Sequence, residues 1–116
     1  MKKSSFNRKT YTSNEVLELV HTNLCGPIEV QSYKGDRYIM FFVDDYSRMM
    51  IVMFLKQKSD AFQMFKWYLA RVEKETRKNL KCLRSDRGGE FTSRDFEVFC
   101  NDRGIKRKTL APRTPP

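Results

Sequence analysis

Cysteine and histidine are scarce in this sequence, which has only Cys25, Cys82, Cys100 and His21 of these two types. The cysteines are odd in number and widely spaced, and none of them has the close neighbour that a zinc site requires. We expect the three thiols to be small buried groups of a protein in a reducing compartment, which predicts an intracellular location.

Long apolar runs are also absent, and the longest run is far too short to cross a bilayer, so we expect no membrane partner. The first 14 residues carry Lys2, Lys3, Arg8 and Lys9 with no apolar segment after them, which excludes a signal peptide. We interpret residues 1–14 as a flexible basic arm and residues 15–116 as one domain.

Acidic residues are a minority among the charged ones, with 14 Asp and Glu against 23 Lys and Arg and a net charge of +9. This excess on a small domain points to a polyanionic partner, although a solvated basic surface without a ligand has the same composition. Hydrophobic residues make up 40% of the 116 residues and aromatic residues 13%, which is enough for a single core.

The pattern of apolar residues predicts strands and helices in a definite order. Apolar and β-branched runs predict strands over residues 16–24, 38–43, 49–55, 80–85 and 105–109. Helical spacing predicts one helix from an N-cap at Ser59 to residues 77–79, and a second from the capping sequence 92–95 to Gly104. A hairpin followed by alternating strands and helices predicts an α/β fold with helices packed on a mixed sheet.

The segment 83–91 (LRSDRGGEF) is the most informative stretch, because a short apolar run ends at Asp86 and then breaks into a glycine turn. This order puts a carboxylate at the open end of a strand, where the backbone can approach a phosphate closely. Two other segments precede it, 19–27 (LVHTNLCGP) and 42–48 (FVDDYSR). With these three motifs in this order, residues 16–116 resemble the integrase core of copia-type retrotransposons.

The resemblance implies a ribonuclease H-like fold with a five-stranded sheet, and DNA integration by metal-dependent phosphodiester strand transfer. In this family two aspartates and a later glutamate hold Mg²⁺ or Mn²⁺. Asp86 matches the second aspartate and is the predicted metal ligand, whereas Asn23 occupies the first catalytic position. The sequence stops before the family's glutamate and C-terminal helices. We therefore expect a partial, inactive core whose metal binding is impaired.

Other polar residues near the motifs have simpler interpretations. Glu90 follows Asp86 by four residues, and we expect it to bond local backbone or lead into the next helix rather than bind metal. Asp44 and Asp45 lie between two predicted strands, where Asp often bonds backbone two residues on. His21 has no orienting partner in the sequence, which favours a packing or surface role over a general base.

For DNA we predict phosphate contacts that do not depend on base sequence. They come from the basic arm and from five cations, Arg84, Arg87, Lys106, Arg107 and Lys108. Residues 106–108 have a second interpretation as an exposed edge strand that positive charge protects from aggregation. The resemblance also implies a nuclear location and a possible homo-oligomer, since integrase cores associate through helices like the one that bears Trp67 and Tyr68.

Two alternative functions stay open at this point. One is a ribonuclease H-like nuclease or a transposase that uses the same acidic cluster, against which the three motifs argue. The other is a non-catalytic nucleic-acid-binding or protein-interaction remnant of a mobile element. Binding to phosphates weakens steeply as salt rises, so a salt titration distinguishes nucleic-acid binding from protein binding.

Overall fold

The computed structural model describes residues 13–28, 35, 37–86 and 89–109, which form one sheet with helices on it. The strands are β1 Val20–Cys25, β2 Tyr38–Asp44, β3 Met50–Leu55, β4 Cys82–Ser85 and β5 Lys106–Thr109. The helices are α1 Ala61–Thr76 and α2 Arg94–Asp102. The strand order is β3-β2-β1-β4-β5, with β1 antiparallel to β2 and parallel to β4. The predicted five-stranded mixed sheet and α/β class are confirmed.

Asp44 organises the hairpin between β2 and β3. Its carboxylate accepts a hydrogen bond from the backbone N–H of Ser47 at 2.8 Å, which is the turn role expected for this residue. The same carboxylate accepts the backbone N–H of Leu17 at 2.7 Å, from a segment 27 residues earlier. One buried side chain therefore fixes both the hairpin and the entry into β1.

The strand predicted over residues 16–24 was wrong at its N-terminal end, since β1 begins at Val20. Leu17 has a φ of 64°, a left-handed conformation that a strand cannot contain, and its side chain is buried. The hydrogen bond to Asp44 stabilises this bend. β1 begins only at Val20, and similarly β4 begins at Cys82 instead of residue 80.

Helix α1 begins differently from the prediction, whereas α2 begins within the predicted capping sequence 92–95. A short 3₁₀ turn, Lys58–Asp60, precedes α1, and the carboxylate of Asp60 accepts the backbone N–H of Gln57 at 3.3 Å, so Ser59 is not the N-cap. Helix α1 ends at the left-handed Arg77, as the spacing predicted. At α2 the cap is Ser93, whose hydroxyl accepts the backbone N–H of Phe96 at 3.3 Å.

Both helices pack on the same side of the sheet, which we call the covered face. Phe42 of β2 is fully buried there, and its ring stacks on Tyr68 of α1 with centroids 4.1 Å apart. Phe65 of α1 in turn lies 4.9 Å from Phe96 of α2. Burial of these large rings is the main source of stability for the fold.

The opposite side, which we call the open face, carries no helix in the described part of the chain. Met50, Val52 and Phe54 of β3 point to this side and are 54%, 41% and 61% exposed. Cys25 at the end of β1 is also exposed, so the prediction that all three cysteines are buried was wrong for this residue, whereas Cys82 and Cys100 are buried as expected. None of the described helices is long and apolar enough to cross a membrane.

Candidate functional site

The parallel pairing of β1 with β4 brings the two motif positions together. The register pairs Val20 with Leu83 and His21 with Arg84. Asn23 lies two residues beyond His21 on β1, and Asp86 lies two residues beyond Arg84, directly after the end of β4. Both line a pocket of about 270 Å³ at the carboxyl ends of these strands. Ligands of open α/β sheets commonly bind at such strand ends.

The pocket combines a charged half with an apolar half. Arg84 and His21 line it together with Asn23 and Asp86, and Phe41 and Val43 of β2 form the apolar wall. A polar group or phosphate in this pocket would therefore meet cationic, anionic and amide groups on one side only. This one-sided arrangement can orient a bound strand.

Asn23 brings no charge to the pocket. Its side chain is exposed, and its Nδ2 donates a weak hydrogen bond to the Cys25 sulfur at 3.8 Å. The amide oxygen is the atom left to act as a ligand. An amide oxygen can contact a cation, but without negative charge it attracts a divalent ion much less than a carboxylate does.

The described residues do not form a complete site for two metal ions. No cluster of three His, Cys, Asp or Glu side chains with metal-binding proximity occurs among them. Glu90 lies in a 3₁₀ turn, Gly89–Phe91, and is not among the residues that line the pocket. Among the described residues that line the pocket, Asp86 is the one carboxylate and the remaining oxygen ligands, such as the Asn23 amide, are neutral, so this donor set does not match a two-cation centre.

His21 has an orienting partner, contrary to the prediction. Its Nε2 lies 2.8 Å from Oδ1 of Asp45, a carboxylate in the turn after β2 that is almost fully buried. Ser13 donates its hydroxyl to Oδ2 of the same group at 2.8 Å. Burial favours the neutral carboxyl, but the hydrogen bonds from His21 and Ser13 outweigh it and hold the pKa of Asp45 below its usual value.

Sequence reasoning missed this pair because the two residues are 24 positions apart. They meet only because β1 and β2 are antiparallel, with Val20 opposite Asp44. Only a prediction that paired β1 with β2 in the correct register could have shown that His21 and Asp45 are neighbours. The result is an imidazole fixed at the edge of the pocket.

The predicted DNA-contacting cations separate into three groups. Arg84 lines the pocket, and Lys106 and Lys108 are exposed on the open face. Arg107 points the other way, donates a hydrogen bond to the carbonyl of Phe91, and lies over the Phe96 ring at 4.6 Å. These contacts give it a packing role, and its predicted contact with DNA stays a prediction. Arg87 and residues 1–12 of the basic arm lie outside the described residues.

Comparison with known proteins agrees with this arrangement. The family described as "Integrase core domain" matches residues 13–115. The "Retrovirus-related Pol polyprotein from transposon TNT 1-94" of Nicotiana tabacum is 44% identical over 111 residues, which is 96% of this chain and 8% of that protein. The polyprotein from transposon RE2 of Arabidopsis thaliana is 32% identical over 113 residues, 97% of this chain and 8% of that protein. The chain thus spans a small part of these relatives.

Solved structures share the fold. A chain of the simian T-cell lymphotropic virus intasome in complex with the PP2A regulatory subunit B56 gamma superimposes with a TM-score of 0.65 at 16% identity, covering 82% of this chain and 32% of that one. The HTLV-2 integrase catalytic core domain in complex with magnesium, in its trimeric form, gives a TM-score of 0.62 at 18% identity and covers 80% of this chain and 59% of that one. With the matched family and the transposon relatives, these findings show that this chain belongs to the integrase core domain family.

Proposed function

We propose that this chain binds DNA as part of a retrotransposon integrase core, and that the longer protein of which such cores are a part integrates DNA by metal-dependent strand transfer. The observation that supports this proposal is the shared pocket of Asn23 and Asp86 at the carboxyl ends of β1 and β4. These are the positions at which the family has its first two acids. A nuclear location follows from this function as a further proposal.

A divalent cation, Mg²⁺ or Mn²⁺, belongs to the proposal through the family, and an HTLV-2 core was solved in complex with magnesium. In this chain its ligands would be the Asp86 carboxylate and the Asn23 amide oxygen. When bound, the ion supplies positive charge that neutralises oxygens of the reacting phosphate. Because only one of these two ligands is charged, we expect binding to be weak.

We further propose that the 116 residues by themselves carry out neither end processing nor strand transfer. Asn23 replaces one family acid, and Asp86 is the one carboxylate among the described residues that line the pocket. Arg84 would still hold a DNA phosphate near the site. Binding and chemistry are therefore separable in this chain.

The test compares the wild-type chain with Asn23→Asp and Asp86→Asn. Mn²⁺ binding, measured by water-proton relaxation, should strengthen by about tenfold in Asn23→Asp because a second charged ligand is added, and should be lost in Asp86→Asn. All three chains should leave a labelled DNA duplex uncut and unjoined.

Strand transfer by the wild-type chain that disappears in Asp86→Asn would contradict the proposed inactivity. Equal Mn²⁺ affinity in all three chains would show that the pocket is not the metal site. The alternative function, a protein-interaction remnant, predicts no DNA binding at low salt and is tested in the same samples by fluorescence anisotropy.

A further inference from the structure

A second groove, of about 410 Å³, lies at the opposite ends of the same parallel strands. It occupies the amino ends of β1, β4 and β5, whereas the pocket of Asn23 and Asp86 occupies the carboxyl ends. Three lysines contribute to its lining, and the residues used below are Ser13, Glu18, Lys81, Cys82, Lys106 and Lys108. None of the motifs points to this groove.

The groove is cationic on balance. Lys106 and Lys108 have no ion-pair partner within 4 Å among the described residues, whereas Lys81 is bound to Glu15 at 2.8 Å. Glu18 is the acid in the lining, and its carboxylate accepts the backbone N–H of Asn14 at 2.7 Å. Two lysines are therefore available to a ligand.

Cys82, a buried residue in the lining of the groove, lies close to these charges. Burial raises the pKa of Cys82, while the positive charges of Lys108, Lys106 and Arg84 act in the opposite direction. These cations lie on two neighbouring strands, with Lys106 opposite Cys82 and Lys108 opposite Arg84. Clustering of this kind concentrates positive potential in a concave surface, where it attracts polyanions more than scattered surface charges do.

The lysines also lead from the groove toward the pocket. Across the β4–β5 pair Lys106 lies opposite Cys82 and Lys108 lies opposite Arg84, and Arg84 lines the pocket. From Cys82, which lies opposite Lys106, to Asp86 the strand rise gives a separation of about 13 Å. A DNA strand advances about 3.4 Å per nucleotide along its axis, so this path corresponds to roughly four nucleotides.

The segment that precedes the groove in the sequence is also positively charged. Ser13 is part of the lining, and the residues before it in the chain include Lys2, Lys3, Arg8 and Lys9. A phosphate backbone is the partner that fits a basic path of this length, because its charges repeat at regular short intervals.

We propose that this groove is a second phosphate-binding site, which holds DNA through Lys106 and Lys108 within roughly four nucleotides of Asp86. It deepens the proposed function and rests on the proposed DNA binding. The groove contacts backbone only and adds affinity without sequence preference. It gives the core a second anchor that keeps the strand directed along the open face.

The test uses the full chain and a DNA duplex long enough to span both sites. In Lys106→Gln/Lys108→Gln, the slope of log Kd against log salt should fall by about 1.8, since each lost phosphate contact removes about 0.9. Lys106→Arg/Lys108→Arg should keep the wild-type slope because the charges are retained. The matched control is Lys56→Gln/Lys74→Gln, which removes two exposed lysines elsewhere and should leave the slope nearly unchanged.

Backbone amide signals provide the second measurement. On adding DNA to the wild-type chain, NMR signals of residues 81, 106 and 108 should shift, and those shifts should be absent in the Gln variant while the shifts at Arg84 and Asp86 persist. Thermal melting before titration verifies that each variant is folded.

The proposal of a second site would be overturned if the salt slope of Kd is unchanged in the Gln variant, or falls equally in the control variant. Either result would leave the proposed DNA binding at the pocket intact. No DNA binding by the wild-type chain at low salt would instead overturn the proposed function, and the groove with it. The interpretation of residues 106–108 as a protected edge strand predicts the first of these results, with self-association of the Gln variant as its sign.

Discussion

Phe41 and Phe42 are consecutive residues of β2, yet they meet opposite surroundings on the two faces of the sheet. Phe42 is fully buried on the covered face against α1, whereas Phe41 forms part of the pocket wall on the open face. On β3, Leu55 is buried on the covered face and its neighbour Phe54 is 61% exposed on the open one. Stability is therefore concentrated on one face, while the other presents the pocket, the basic groove and an apolar surface.

The largest effect that separates the faces should come from truncating one aromatic ring on each. Phe42→Ala should lower the free energy of unfolding by about 3–5 kcal/mol, because it leaves a cavity beneath α1. Phe54→Ala should change it by only about 0.5 kcal/mol, since the ring is mostly in water. Urea unfolding followed by circular dichroism measures both. Similar costs for the two variants would mean that the open face is covered in solution.

Self-association provides a smaller but sharper test of the open face. Met50, Val52 and Phe54 form a continuous apolar surface, and such surfaces promote contact between molecules. Val52→Thr/Phe54→Ser should therefore reduce concentration-dependent association in sedimentation velocity by several-fold. The matched control is Val98→Thr on α2, which is also exposed but lies away from the sheet face.

If the control reduces association as much as the double variant, association does not proceed through the open face. If neither variant changes it, an oligomer formed through α1, where Trp67 is 49% exposed, becomes the better explanation. The HTLV-2 core, which shares this fold, has been solved in dimeric and trimeric forms.

The smallest effect should come from surface charges near the basic groove. Hydrogen bonds from Lys78 and then Lys81 lower the pKa of Glu15 from 4.5 to about 2. A carboxyl with a lowered folded-state pKa stabilises the fold fully above its unfolded value. That contribution is lost as the pH falls from about 4.5 to about 2.

Unfolding by urea across this pH range measures the effect. Glu15→Gln should show a flatter decline than the wild-type chain below pH 4.5, and added salt should shrink the difference because exposed pairs are screened. The lowered pKa of Asp45 acts in the same direction, and it remains in the variant. An identical decline in both chains would show that the Glu15 contacts do not persist in solution.

Parts of the fold and site followed directly from local sequence patterns. The spacing of Phe65, Tyr68, Leu69 and Val72 predicted α1 because helical periodicity is a local property, and all four are buried. The order of the motifs placed Asn23 and Asp86 together, which the strand register supports. Strand alternation puts Arg107 on the opposite face from Lys106 and Lys108, although it does not say which face the helices cover.

Other features depend on contacts between distant residues and could not be predicted. The left-handed bend at Leu17 exists because Asp44 accepts its N–H, and the orientation of His21 depends on Asp45. Exposure of Cys25 follows from the absence of a covering helix in the described part of the open face, and composition contains no information about that. In each case the deciding interaction joins residues that only tertiary structure brings together.

The double acceptor role of Asp44 also has a consequence for how the molecule assembles. The bond to Ser47 can form as soon as the hairpin closes, whereas the bond to Leu17 requires that the preceding segment has already docked. The two amides therefore report on different stages of folding. Hydrogen–deuterium exchange at the amides of Leu17 and Ser47 would show whether β1 docks before or after the β2–β3 hairpin closes.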